Sequence, residues 1–376
     1  MPVKLKWPWL GIAIPSFLIA SIGYCAHYFI LLNFLSLRKQ LWYQFCQTMI
    51  WLSYYLAIYT PPGKPPTNFK PSKNEWKVYC KKCKCYKPER SHHCKTCNQC
   101  VLMMDHHCPW TMNCVGYNNF PHFIRFLFWV IVGTTSLAIF LTTRIHSIWV
   151  HRSSPSYLYY KSELIFLTIL TPLNAFILLT ISILMIRCLF NQIFNGRSQI
   201  ESWEMDRLET LARMSKLLPI LIENVWYIFP NLRNEHVESQ AEALLNKKRL
   251  SLDELVNFPY DLGPFRNAIQ LLGTPPLWLY PFSGPQDDGL HFQKNEESMI
   301  EDPNSLNDII LCLPWPPDST KHLNSTSEHT SNVQIISEEG EQVIRIRTPE
   351  KKLSRSEWLN DWGESLEDFG VDVDVE

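Results

Sequence analysis

Twelve cysteine and histidine side chains lie between Cys80 and Cys114, in a segment with little apolar material of its own. A structural zinc site takes four thiolate or imidazole ligands. Two cysteines separated by two residues, as in Cys80-x-x-Cys83 and Cys94-x-x-Cys97, are typical of a zinc knuckle. Such a loop would need the metal for its folding free energy. The pattern therefore predicts two closed zinc sites, which would leave four groups over. The twelve side chains are those of Cys80, Cys83, Cys85, His92, His93, Cys94, Cys97, Cys100, His106, His107, Cys108 and Cys114.

An acid, a base and a thiol stand within four residues at Asp105, His106 and Cys108. A free cysteine has a pKa of about 8.5, so its thiol is mostly protonated at neutral pH. An adjacent imidazole that takes the proton, and that a carboxylate holds by its other nitrogen, would make the cysteine a nucleophile. The alternative is that all these residues bind metal. Neighbouring residues rarely bind one ion together, however, and the ligands outnumber the needs of two zinc ions.

Four segments are apolar for long enough to cross a bilayer, which takes about 20 residues. The first would be a signal anchor, because its apolar run is longer than that of a cleaved signal peptide. Four such segments in 376 residues leave too little protein to bury them in a soluble fold, so lipid is their predicted solvent. They lie within Trp7–Leu37 and at about Leu41–Tyr59, Phe123–Thr143 and Leu164–Ile186.

The loop between the second and third segments is strongly basic, with ten Lys or Arg against three Asp or Glu over residues 60–122. The connections after the first and third segments hold few basic residues, so the positive-inside rule places this loop in the cytosol. Eight of the twelve cysteines also lie in it, and their thiols would stay reduced there. An even number of spans then places both termini in the cytosol.

The predicted fold is an all-α integral membrane protein, in which a small cytosolic zinc-binding, cysteine-rich domain separates the second and third of four transmembrane helices. From Glu296 to the end there are nineteen acids against six bases, a composition that favours disorder. The predicted divisions are helices 1 and 2 in residues 1–60, the zinc domain in 61–122, helices 3 and 4 in 123–190, a cytosolic juxtamembrane region in 191–284 and an acidic, largely disordered tail in 285–376.

The spacing of the whole cysteine-rich segment resembles that of the DHHC protein S-acyltransferases, or palmitoyltransferases. The pattern that carries the resemblance is Cys80-x2-Cys83-x9-His93-Cys94-x2-Cys97-x2-Cys100-x4-Asp105-His106-His107-Cys108-x5-Cys114-x4-Asn119-x3-Phe123. The resemblance implies four transmembrane helices splayed into a tepee, with a lipid-filled cavity below the zinc domain. It also implies transfer of a palmitoyl group from palmitoyl-CoA to cysteines of protein substrates.

The resemblance sorts the side chains by role. It implies one zinc ion on Cys80, Cys83, His93 and Cys100, and a second on Cys94, Cys97, His107 and Cys114. Cys108 matches the acylated nucleophile, His106 the base and Asp105 the residue that orients this base. Trp110 matches a residue that packs on the first carbons of the acyl chain. Cys85 lies outside the pattern, and no role is assigned to it.

The basic side chains of the loop fit a donor that carries phosphates. Lys81, Lys82, Lys87, Arg90 and His92 could attract the phosphates of coenzyme A at the cytosolic surface. The same side chains could instead face anionic lipid, and both roles stay open. The expected partners are therefore the membrane, acyl-CoA and proteins that bear cytosolic cysteines, many of them membrane proteins, with no nucleic acid.

Two other classes of function are alternatives to acyl transfer. A membrane-anchored zinc module of the RING type, acting as a binding platform, would explain the metal ligands but not the additional Asp105, His106 and Cys108. A transporter or channel would need polar residues along its spans, and these four segments have almost none.

The resemblance to a fungal endoplasmic-reticulum member covers the whole chain, and it implies that compartment. The third apolar segment supports the assignment, because it is the shortest and the bilayer of this organelle is thin.

Two family motifs are only partly kept, at Pro61-Pro62-Gly63 and at Ser198-Gln199-Ile200-Glu201. In the second motif, Gln199 stands where the family has a threonine that donates a hydrogen bond to the catalytic Asp. Its side-chain amide has two donor hydrogens on a longer stem, so it is predicted to contact Asp105 instead. Ser198 could take over this contact, and Gln199 could simply face solvent.

Overall fold

The computed structural model describes residues 7–72, 75–155, 159–247, 250–299, 305–319, 355 and 357–374. The described chain is mainly helical, and its strands have only two or three residues each. It divides into two compact units, which are described separately below. The first unit comprises Met1–Trp203, Phe258–Glu296 and Leu366–Glu376, and the second comprises Glu204–Asn257 and Glu297–Ser365.

Four long helices dominate the first unit. Three helical stretches, Leu10–Leu31, Phe120–Val150 and Lys161–Phe194, are long and apolar enough to cross a membrane, which confirms the first, third and fourth predicted segments. The helices are α1 at Leu10–Ala26, continued by a π-helical turn at His27–Leu31, α2 at Leu37–Tyr59, α3 at Phe120–Val150, and α4 at Lys161–Leu189, continued by a π-helical turn at Phe190–Phe194.

Helix α2 has the length of a span but not the composition of the other three. Its 23 residues would reach about 35 Å at 1.5 Å per residue, more than the hydrocarbon core requires. Its hydropathy is lowered by glutamine, serine, threonine and tyrosine side chains. Helix α2 is therefore not among the three described helices that are apolar enough to be identified as spans from length and composition. A fourth span therefore stays a prediction.

Helix α3 is much longer than the predicted segment Phe123–Thr143. It has 31 residues and runs past Arg125 near one end and Arg144 near the other. The Arg125 guanidinium donates to the carbonyl oxygens of Trp278 and Ser283, at 2.8 and 2.6 Å, and Arg144 pairs with Glu163. Because these charges are satisfied within the protein, the helix continues through them. The helix is therefore longer than the short third segment that supported an endoplasmic-reticulum location, and its length no longer gives that support.

The long helices pack through small and polar residues as well as apolar ones. Helix α2 packs on α3, and α3 on α4. A Cβ atom at Gly133 would lie 2.9 Å from the Ile50 side chain, so α2 and α3 approach closely at that point. Between α3 and α4, the buried Asn174 amide donates a hydrogen bond of 2.9 Å to the Thr134 carbonyl oxygen. Small residues and interhelical hydrogen bonds of this kind are typical of helix packing in membranes.

The segment between α2 and α3 folds into three two-stranded antiparallel hairpins. Their tight turns include Lys84, Asn98 and Met112, each with a positive φ of about 50°. The register places His93 opposite Cys100 in the second hairpin and His107 opposite Cys114 in the third. The strands are β1 at Tyr79–Cys80, β2 at Cys85–Tyr86, β3 at His92–Cys94, β4 at Gln99–Val101, β5 at His106–Cys108 and β6 at Asn113–Val115.

The remaining helices are shorter. In the second unit, α6 packs with α7 and α9, and Arg207 pairs with Glu204 and Asp318. The helices are α5 at Gln199–Arg213, α6 at Leu217–Ile228, α7 at Glu235–Leu245, α8 at Pro264–Leu272 and α9 at Leu306–Leu311, with 3-10 turns at Pro230–Leu232, Leu252–Glu254, Pro275–Leu277, Glu296–Ser298 and Leu366–Phe369.

The acidic tail of residues 285–376 is predicted to be largely disordered, and in three places the structure differs. Phe292 is buried beside Arg90. Helix α9 begins with a reciprocal capping box between Ser305 and Asp308. Near the end of the chain, Leu366, Phe369 and Val371 are buried in the first unit. These short apolar segments cannot be recognised from the average composition of the tail, which favours disorder. Residues 300–304, 320–354, 356 and 375–376, which belong to the same prediction, lie outside the described residues.

Candidate functional site

The first predicted metal site is assembled from the first two hairpins. The Nδ1 atom of His93 lies 3.4, 3.3 and 3.7 Å from the sulfur atoms of Cys80, Cys83 and Cys100. With ordinary zinc–sulfur and zinc–nitrogen bonds, a tetrahedral site has an N···S edge of about 3.6 Å. Three thiols and one imidazole at this spacing could hold a zinc ion.

The second site has the same composition and nearly the same dimensions. The Nδ1 atom of His107 lies 3.7, 3.4 and 3.6 Å from the sulfur atoms of Cys94, Cys97 and Cys114. Because Cys94 directly follows His93 on strand β3, that strand contributes a ligand to both sites. The structure thus brings together the eight predicted ligands in the two predicted sets.

The electrostatics of both clusters favour a bound cation. Burial and the neighbouring sulfur atoms raise the pKa of the Cys100 thiol. The hydrogen bonds that the Cys114 thiol donates to Cys94 and Cys97 raise its pKa, because they stabilise its protonated form. Three thiolates crowded in one buried cluster repel one another, whereas a divalent cation would let all three ionise. The donor chemistry therefore fits zinc as well as the distances do.

Strand β5 presents the proposed catalytic side chains in a hydrogen-bonded chain. Asp105 Oδ2 lies 2.7 Å from Nδ1 of His106, and the His106 imidazole hydrogen-bonds the Cys108 thiol. Asp105 and Cys108 are buried. Burial lowers the pKa of His106, but the hydrogen bonds to Asp105 and Cys108 prevail and raise it to about 10. Burial raises the pKa of Cys108, and the contact with His106 overcomes this and lowers it. The arrangement favours a thiolate beside an imidazolium.

Two donors hold the other oxygen of the Asp105 carboxylate. The side-chain amide of Gln192 donates to Oδ1 at 2.6 Å, and the backbone N–H of Gln199 donates to the same atom at 2.9 Å. The predicted contact from the Gln199 side chain is therefore wrong. The start of α5 brings the main chain of that residue to the carboxylate, where a helix N-terminus favours a negative charge. The side chain of Ser198 instead accepts from the Glu201 N–H at 3.2 Å.

Gln192 was missed by the sequence reasoning. It belongs to the π-helical turn Phe190–Phe194 at the end of α4, and it is almost completely buried. Only the polar pair of Asn191 and Gln192 between apolar residues, shortly before the Ser198–Glu201 motif, could have drawn attention to it. Nothing in that signal indicates Asp105 as the partner.

Arg90 does not face solvent, as the prediction of a phosphate contact required. Its guanidinium donates two hydrogen bonds of 2.6 Å to the Glu201 carboxylate and one of 2.7 Å to the Gly196 carbonyl oxygen. The rings of Tyr260 and Phe292 lie 4.7 and 4.9 Å from it. Arg90 thus joins the zinc domain to the start of α5, and it is not available to coenzyme A.

The other predicted donor-binding residues differ in exposure. Lys87 is buried, which also removes it from the surface that could meet a soluble donor. Lys81 is exposed, and His92 is half-buried. Lys82 is exposed but pairs with Asp372. Trp110 is 40% exposed, as a side chain in contact with lipid or an acyl chain would be.

The loop after Cys108 lies against the ends of the first two long helices. The Tyr54 hydroxyl of α2 donates to the Trp110 carbonyl oxygen at 2.7 Å. A Cβ atom at Gly11 of α1 would lie only 2.0 Å from the Pro109 carbonyl oxygen, so this position requires glycine. The amide of Asn113 donates to the Ile58 and Thr60 carbonyl oxygens at the end of α2. The thiol therefore lies where helices α1 and α2 meet the zinc domain.

Comparison with known proteins gives a consistent result. The profile of the DHHC palmitoyltransferase family matches residues 73–206. The chain is 60% identical to the palmitoyltransferase PFA4 of Saccharomyces cerevisiae, and the alignment covers the whole of both chains. It is 56% identical to the palmitoyltransferase PFA4 of Eremothecium gossypii and 50% identical to that of Kluyveromyces lactis, again over the whole of both chains.

Proposed function

The chain belongs to the DHHC palmitoyltransferase family, and from that premise we propose that it moves a long-chain acyl group from acyl-CoA to cysteines of protein substrates through an acyl-enzyme on Cys108. The hydrogen-bonded chain from Asp105 through His106 to Cys108 carries the proposal. It activates a thiol that lies outside both metal clusters, which a purely structural zinc module would not need.

The first half-reaction acylates the enzyme. The Cys108 thiolate attacks the thioester carbonyl carbon of acyl-CoA, and the bond from that carbon to the coenzyme A sulfur breaks. The departing thiolate takes the proton of the His106 imidazolium and leaves as free coenzyme A. Asp105 holds the imidazole by Nδ1 throughout, so that its other nitrogen keeps facing the sulfur.

The second half-reaction transfers the acyl group to the substrate. A substrate thiol gives its proton to the neutral His106, and the resulting thiolate attacks the acyl carbon on Cys108. The bond to Cys108 breaks, and the thiolate–imidazolium pair is restored. Two zinc ions, held by the two ligand sets, would fold the hairpins that carry this strand.

A membrane setting supports an acyl donor with a long chain. We propose four spans including α2, both termini in the cytosol, and the endoplasmic reticulum as the compartment. Removing a sixteen-carbon chain from water is worth about 0.8 kcal/mol per methylene, or about 11 kcal/mol as an upper bound. A thiol at the membrane end of the zinc domain would allow the chain to enter hydrocarbon beside the exposed Trp110. Among the predicted phosphate contacts, the exposed Lys81 and Lys82 are the ones still at the surface.

The test is self-acylation by the purified full-length protein in detergent. Labelled palmitoyl-CoA should leave a label on the chain that hydroxylamine removes, because a thioester forms at Cys108. A substrate peptide with a cysteine should then remove the label from the enzyme and acquire it. A protein that binds two zinc ions but takes up no label would instead support the RING-like binding platform.

A further inference from the structure

Residues 370–372 lie along strand β3, which carries ligands of both predicted zinc sites. Val371 forms an antiparallel bridge with Cys94. The Asp372 N–H donates to the His93 carbonyl oxygen at 2.8 Å, and the Lys95 N–H donates to the Gly370 carbonyl oxygen at 3.0 Å. These contacts extend the β3–β4 hairpin by one short strand, which comes from a region more than 270 residues away in sequence.

The side chain of Asp372 is completely buried in this segment, next to a metal ligand. Its Oδ2 atom pairs with the Lys82 ammonium group and lies 3.9 Å from Nε2 of His93. Within the described part of the chain, Oδ1 of Asp372 and Nε2 of His93 are both buried without a hydrogen-bond partner. The unpartnered Nε2 of His93 therefore lies a short distance from a carboxylate that already pairs with Lys82 through Oδ2 and whose Oδ1 atom is unused.

Zinc binding at Nδ1 of His93 determines that Nε2 carries the ring proton. The three sulfur atoms surround Nδ1, so a zinc ion there would leave the ring proton on Nε2. A buried N–H without an acceptor costs about 1–3 kcal/mol. Moving the Asp372 carboxylate by about 1 Å would bring it to an ordinary hydrogen-bond distance of about 2.9 Å.

We propose that Asp372 is the hydrogen-bond acceptor that orients the zinc ligand His93, and that the C-terminal segment is thereby a working part of the first zinc site. Metal-bound imidazoles are commonly held in this way by a carboxylate on the other nitrogen. Lys82 offsets the charge of the buried carboxylate. Leu366, Phe369 and Val371 anchor the segment by burying their side chains. The inference depends on metal binding and not on acyl transfer.

The experiment measures zinc release from the full-length protein to an excess of a chelating dye. Asp372→Ala should release one of its two zinc ions about 10–100-fold faster than the parent, because removing such a partner usually lowers metal affinity by that factor. Asp372→Asn should fall in between, because its amide oxygen can still accept but carries no charge. The control is Asp374→Asn, which removes the same charge from an exposed position two residues away. It should release zinc at the parental rate.

Mass spectrometry after brief maleimide labelling identifies the site that opens. Cys80, Cys83 and Cys100 should become reactive in Asp372→Ala before Cys94, Cys97 and Cys114 do. Lys82→Met separates ligand orientation from simple docking of the tail, because it breaks the ion pair and leaves the contact with His93. It should release zinc more slowly than Asp372→Ala. Equal release by these two variants, parallel loss of both zinc ions, or parental release by Asp372→Ala would each overturn the proposal.

Discussion

Replacing Gln192 by leucine tests how Asp105 is held in place. The substitution removes a 2.6 Å hydrogen bond to a buried carboxylate and keeps the volume of the side chain. A hydrogen bond to a charged group contributes about 1.5–3 kcal/mol. The backbone N–H of Gln199 still donates to the same oxygen at 2.9 Å, so the lower end of that range applies. We expect self-acylation to slow by about tenfold, since each 1.4 kcal/mol is a factor of ten in rate.

The assay follows a single turnover, with labelled palmitoyl-CoA in excess over enzyme and the label on the chain sampled over time. The loss should appear in the maximal rate and not in the donor concentration that gives half of it, because Gln192 lies on the far side of Asp105 from the thiol. Zinc content should stay at two ions per chain. This separates misplacement of Asp105 from collapse of the domain.

Gln199→Ala is the matched control, because it keeps the backbone N–H that makes the contact. It should acylate at close to the parental rate, in contrast to what the sequence alone predicted. If Gln192→Leu acylates as fast as the parent while Gln199→Ala is slowed tenfold, the assignment of the two donors is incorrect. If both variants are fully active, neither side chain is needed to position the Asp105 carboxylate, and the proposed role of Gln192 is wrong.

Three further predictions concern the nucleophile, the buried ion pair and the topology. Cys108→Ser should abolish the hydroxylamine-sensitive label but keep two zinc ions, as metal analysis of the purified variant would show; loss of one zinc would make Cys108 a ligand. Arg90→Met should lower the free energy of unfolding by about 3–5 kcal/mol because it leaves the Glu201 carboxylate buried without its partner. Adding Glu201→Gln should restore part of that loss in the same denaturation assay, whereas an equal loss in the double variant would point to packing instead. A glycosylation acceptor placed in residues 36–40 should be modified in microsomes and one in residues 64–75 should not; the reverse pattern would contradict a cytosolic zinc domain.

The parts of the site that are local in sequence were predicted well. Ligand spacing reflects the geometry of the hairpins, since the register places His93 opposite Cys100 and His107 opposite Cys114. The resemblance to the family supplied the division into two sets, and the structure reproduces it. The apolar spans were likewise visible, because hydrophobic length is a property of a continuous segment. Their ends were not, since α3 begins before the predicted segment and continues past Arg144, which pairs with Glu163 of α4.

What the sequence did not reveal are contacts between distant segments. No local pattern connects Gln192 with Asp105, Arg90 with Glu201 or Asp372 with His93, because each pair is more than 80 residues apart. The error about Gln199 has a related cause. The motif was located correctly, but side-chain chemistry was used for a position where the backbone N–H at a helix N-terminus makes the contact.

These pairings also change what the basic composition of the loop means. Arg90 is neutralised by Glu201, Lys82 by Asp372 and Lys95 by Glu367, so at least three of the ten basic side chains of residues 60–122 have carboxylate partners in the part of the protein that the structure describes. The field that reaches a donor is therefore weaker than the sequence indicates. It also depends on the acidic tail, which supplies two of the three carboxylates. From its composition, the tail should repel the phosphates of a donor. It also acts on the zinc domain, where its carboxylates offset the positive charges of Lys82 and Lys95.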